Sequence, residues 1–124
     1  MSYEIHWEPR GAVKRYSGAV DGNELIGALV AVEESAQFDE LRWVINDFLA
    51  ASSVTCSLDE VQTIASIDMA AALTNPTIVI AVVATNAEIV ALAQQYAESP
   101  MNTYPTRIFA TLAEARAWLA QAAA

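Results

Sequence analysis

One cysteine, one histidine and six cationic side chains in 124 residues leave little material for several kinds of chemistry. The lone Cys56 cannot form an intrachain disulfide, which points to a reducing, cytoplasmic setting. The cations are Arg10, Lys14, Arg15, Arg42, Arg107 and Arg116, set against 15 acidic residues and a formal net charge of −9. Only Lys14 and Arg15 adjoin, so no basic cluster exists to neutralise phosphates, and neither nucleic acid nor an anionic membrane surface is an expected partner. The longest uninterrupted apolar run, Ile78–Ala84, falls far short of the ~20 residues that a spanning helix needs, which excludes an integral membrane segment of that kind. The start, Met1–Glu8, lacks the basic opening and apolar stretch of a secretory signal. Zinc-ligand spacing, a glycine-rich phosphate loop and a Gly-x-Ser-x-Gly elbow are missing as well, and neither a metal nor a cofactor is expected.

What is present is an apolar chain, 55% hydrophobic, of a length that suits one domain over residues 1–124. Tyr3, Ile5 and Trp7 alternate with Glu4, His6 and Glu8, the pattern of a strand with one buried face. Glu8-Pro9-Arg10-Gly11 has the residues of a type I turn, returning into a second strand over Ala12–Ser17. Gly18–Asn23 punctuates, and Asp21 or Asn23 can cap a helix over Glu24–Ser35 with Leu25, Leu29 and Val32 on one stripe. Leu41–Phe48 reads as a strand, followed by a loop of small residues, Ala50–Cys56. Ser57-Leu58-Asp59-Glu60 is a capping box. It opens a helix with Leu58, Val61, Ala65, Met69 and Ala72 on one face, ending before Asn75-Pro76.

Thr77–Ala84 suits a central strand covered on both faces. Asn86 or Thr85 can cap the next helix, with Ile89, Leu92, Ala93 and Tyr96 as its stripe. Thr106–Phe109 is a last strand, and Thr111-Leu112-Ala113-Glu114 is a second capping box opening the last helix. The order β-β-α-β-α-β-α-β-α implies an α/β fold: a mixed, mostly parallel sheet built from an N-terminal β-hairpin followed by repeated βα units.

The stretch Arg107–Leu119, a strand ending in Phe109 and a helix carrying Glu114-Ala115 and Trp118-Leu119, resembles the C-terminal signature of the SpoIIAA-like family. The strands Ile78–Val83 and Leu41–Asp47 resemble that family in order and spacing. The family is related in fold to STAS domains, which act as anti-sigma-factor antagonists, and to lipid-binding CRAL-TRIO (Sec14) domains. In STAS switch proteins a phosphorylatable serine follows an Asp-x-Ser pattern just after a strand. Asp47 holds the acidic place here, but Phe48-Leu49 follows with no serine at the matching step, so the resemblance does not carry the switch across.

The segment Ala50–Ser57 is the leading candidate site. A loop at the carboxyl end of a parallel strand and the amino end of a helix favours anions, so Asp47, Ser52, Ser53 and Ser57 are the ligand- or partner-binding candidates. Capping alone also accounts for Ser57. His6 is read as a strand-face residue, since no nucleophile accompanies it. Cys56 at a helix start could be activated, but a semi-buried thiol is the simpler reading. Asp59 and Glu60 suit a helix N-terminus, and Glu33 and Glu34 are read as solvated. Trp7, Trp43 and Trp118 read as core, or alternatively as walls of a groove for an apolar ligand. The function expected is a non-enzymatic regulatory or protein-interaction module of SpoIIAA/STAS type, working with a protein partner or as a homodimer. The alternative is a binding or carrier protein for a small apolar, lipid-like ligand.

Overall fold

A computed structural model describes residues 2–124 of the chain. The element order is the one expected from sequence: β1 (Tyr3–Glu8), β2 (Gly11–Asp21), α1 (Gly22–Glu33), β3 (Trp43–Thr55), α2 (Leu58–Thr74), β4 (Val79–Val83), α3 (Ala87–Glu98), β5 (Thr106–Phe109) and α4 (Leu112–Ala122), with a single 3₁₀ turn at Phe38–Glu40. The five strands form one mixed sheet in chain order, β1 antiparallel to β2 and the rest parallel. Each βαβ crossover therefore moves one strand in the same direction. Right-handed connection then puts α1, α2 and α3 on a common face. α4 follows the last strand and covers the other face, against β3, β4 and β5.

Strand alternation divides the core between these layers. Ala12, Val44, Ile80 and Val82 point toward α1–α3, whereas Val13, Ile45, Val79, Ala81 and Val83 point toward Ala115 and Leu119 of α4. All five residues of β4 are buried, as a central strand covered on both faces requires.

Local chemistry fixes most boundaries. Asp21 caps α1 through a reciprocal box with Glu24, and Ser57 caps α2 in the same way with Glu60. Asn86 caps α3 by accepting from Glu88 N and Ile89 N. At α4 the box is half formed: Thr111 accepts from Glu114 N, while the Glu114 carboxylate accepts from the Thr111 hydroxyl instead of the backbone.

Four expectations are corrected. The Glu8–Gly11 turn has Arg10 at φ 65, which with Pro9 before it is the type II pattern, not type I. β2 does not stop at Ser17. It runs on to Asp21 through register shifts on either side of Gly18, whose φ of 66 suits glycine in a bulge. Ala50–Thr55 is no loop: it continues β3, because the extended β2 offers it a ladder down to Asp21↔Thr55. The buried face of α2 is Val61, Ala65, Asp68 and Ala71, whereas Leu58 and Met69 are exposed.

Candidate functional site

Ala12, Lys14 and Tyr16 follow one another at period two on the face of β2 that looks at the three-helix layer. Lys14 therefore stands at an inward position and is only 6% exposed. Across from it, α1 supplies Glu33, α2 supplies Asp68 and α3 supplies Tyr96. These four side chains, with Tyr16, Asn46, Cys56 and Tyr104, are the polar part of the lining of a mostly apolar cavity of about 110 Å³ between sheet and helices, walled by Leu29, Val44, Phe48, Ile80 and Ile89 among others.

The cluster is internally tied on its acidic side. The Tyr96 hydroxyl donates to Asp68 Oδ2. The buried Oε2 of Glu33 has no donor to accept from. Burial first, with the adjacent Asp68 charge second, pushes the Glu33 pKa up to about 7. Desolvation also raises Asp68, against the Tyr96 hydrogen bond and the Lys14 charge, which lower it. Burial pulls the Lys14 ammonium below its ordinary range, while Asp68 and then Glu33 hold it up. Lys14 makes no ion pair within 4 Å among the described residues.

The residues singled out from sequence lie elsewhere. Asp47 is buried at 4% exposure, accepts from Leu49 N at 2.9 Å and faces Arg15 Nε at 3.5 Å. Ser52 and Ser53 are exposed positions on the long β3, five and six residues further on, about 16–20 Å of extended chain. Ser57 is committed to its cap, 3.1 Å from Glu60 N. The serines and Asp47 therefore do not form a cluster, and the candidate loop is replaced by strand. Cys56 touches the cavity, but desolvation and then Glu60 raise its pKa to about 11, which keeps it a thiol. His6 pairs with Glu4 at 3.0 Å on the exposed edge strand and has no nucleophile beside it. Glu33, read from sequence as solvated, turns inward.

Trp43 covers Gly11, Trp43 and Trp118 each pack against the core on the α4 side, and Trp7 is 39% exposed; none of the three walls the cavity. Among the described residues no three His, Cys, Asp or Glu side chains are placed to hold a metal, and no helix is long and apolar enough to cross a membrane.

Superposition on solved structures places this architecture. The unphosphorylated anti-sigma factor antagonist SpoIIAA aligns over 96% of this chain and 98% of its own, with a TM-score of 0.64 at 12% identity. The fold is SpoIIAA-like. An uncharacterised DUF3478-family protein from Shewanella loihica, itself described as having a SpoIIAA-like fold, aligns over 94% of this chain and 91% of its own (TM-score 0.57, 11% identity). No protein-family model matches the sequence, and no curated protein matches it significantly. The resemblance noted in Arg107–Leu119 thus corresponds to a shared fold at low identity. In this SpoIIAA-like frame the inward Lys14, Glu33 and Asp68 went unrecognised in the sequence. The signal was there: Lys14 falls in step with Ala12 and Tyr16, and Asp68 falls in step with Val61, Ala65 and Ala71.

Proposed function

We propose that this chain is a non-enzymatic regulatory module of SpoIIAA type that binds a basic, amphipathic segment of a partner protein across its three-helix face. The observation that carries this reading is the composition of that face. α1, α2 and α3 contain no Lys, Arg or His, yet α2 exposes Leu58 (60%), Met69 (44%) and Leu73 (89%) along one stripe. Exposed Asp59, Glu88 and Glu98 share the layer. An apolar ridge in an acidic surrounding suits a cationic amphipathic partner, and it disfavours a second copy with the same charge. The likeness to an anti-sigma factor antagonist supports an output through protein contacts.

The test is affinity capture from the source cell with the wild type and a Leu73→Glu variant as paired baits. A Lys/Arg-rich protein retained by the wild type, lost with L73E and released by salt would support the reading. Bait alone, or a partner held equally by L73E, would overturn it.

A second reading, a binding protein for a small apolar ligand, is favoured by the cavity itself. Its volume of about 110 Å³ compares with the ~150 Å³ of an engineered apolar cavity that admits benzene, so the ligand would be small.

A further inference from the structure

We propose that the cavity is a site for a short-chain aliphatic carboxylic acid, its carboxylate received by Lys14 and Tyr16 and its chain lying among Leu29, Val44, Ile80 and Ile89. This deepens the second reading above and rests on it.

Two buried donors on one strand face carry the argument. Lys14 is 6% exposed and Tyr16 is 1% exposed, both line the cavity, and neither makes a side-chain hydrogen bond or ion pair among the described residues. An ammonium held in a mostly apolar lining gains from an acceptor that enters beside it, and a ligand carboxylate would supply one. The acidic members of the cluster do not fill that role. Asp68 is already engaged by Tyr96 and lies next to Glu33.

The remaining lining decides the rest of the ligand. Beyond the cluster the walls are overwhelmingly hydrocarbon, which favours an unsubstituted chain over a sugar or an amino acid. The space is smaller than the ~150 Å³ that admits the six heavy atoms of benzene, so a membrane-lipid acyl chain is too long and a three- or four-carbon acid, of five or six heavy atoms, sets the upper limit. An amine of the same length would place its charge against Lys14.

Groups that titrate around Lys14 come from every packed element: Glu33 from α1, Asp68 from α2, Tyr96 from α3, Tyr104 from the segment before β5, and Cys56 before α2. Of these, Glu33 changes charge near neutrality. An ionised Glu33 competes with the ligand carboxylate for Lys14, so acid binding should weaken as pH rises from 6 to 8.

The experiment is a ¹H–¹⁵N NMR titration of the full chain with butanoate, 1-butanol and butylamine at pH 6, repeated at pH 8. Butanoate should give saturable shifts at the cavity residues, stronger at pH 6. Lys14→Met should weaken it by about tenfold or more, the scale of a lost charge-assisted hydrogen bond. Should K14M not fold, Tyr16→Phe serves, with a smaller loss expected. Binding of the alcohol or amine in preference to the acid would overturn the carboxylate assignment while leaving an apolar site standing. Equal butanoate binding by a folded K14M would also overturn it. No binding of any of the three to the folded protein would remove both the assignment and the small-ligand reading.

Discussion

The Tyr96 hydroxyl of α3 donates to the Asp68 carboxylate of α2, joining two neighbouring helices over the polar end of the cavity. Tyr96→Phe removes that donor and leaves Asp68 with less support in a buried setting. A stability loss of about 1–3 kcal/mol is expected, read as a shifted denaturant midpoint at unchanged slope. The Asp68 carboxyl, followed by ¹³C NMR, should titrate at higher pH in Y96F. A midpoint identical to wild type would show that the bond adds nothing.

Glu33 makes stability depend on pH around neutrality. Its folded pKa of about 7 lies above the ordinary 4.5, so folding favours its protonated form. The contribution is full below about 4.5, declines as pH rises through 7 and is gone above it. Thermal unfolding across pH 5 to 8 should therefore show a falling Tm, and Glu33→Gln should flatten that decline. An unchanged slope in E33Q would assign the effect to another group.

Gly11 has no room for a side chain. A Cβ there would lie 2.0 Å from Trp43 Cε2, inside the indole that covers this end of the sheet. Gly11→Ala should cost about 1–3 kcal/mol through displacement of the ring. Adding Trp43→Leu to G11A should restore part of that loss, so the two changes should be non-additive in a double-mutant cycle. Strict additivity would mean that the ring moves aside freely.

Asn75, 3% exposed, holds the end of α2 to the chain entering β3. Its amide donates to Phe38 O at 2.8 Å and Leu41 O at 2.9 Å, its side-chain oxygen accepts from Thr77, and its carbonyl accepts from Tyr104 Oη at 2.8 Å. Asn75→Ala leaves buried carbonyls without donors, and a loss of about 3 kcal/mol is expected in chemical denaturation. A loss below about 1 kcal/mol would mean that water replaces the amide.

Much of the frame was legible because its signals are local. The box Ser57–Glu60 starts α2 and Asn75-Pro76 ends it, and Thr106–Phe109 followed by Thr111 appears where the pattern put it. The continuation of β3 was not legible. Ala50–Ser53 are small, weakly strand-forming residues, and only the second half of β2 beside the segment supplies the hydrogen bonds that carry the strand on to Thr55.

The candidate site illustrates the same division. Lys14, Glu33 and Asp68 are charged, and charge in a sequence reads as surface. The period of β2 and the stripe of α2 point Lys14 and Asp68 inward, but which neighbours meet them depends on where α1, α2 and α3 settle on the sheet.

The closing β5–α4 unit, the caps and the α/β order were determined by the sequence alone, since each rests on hydrogen bonds or apolar spacing within a few residues. The tertiary structure alone decided the strand order, the long β2–β3 ladder and the meeting of Lys14 with two carboxyls and a tyrosine. Those depend on contacts between residues tens of positions apart, whose partners no local pattern names.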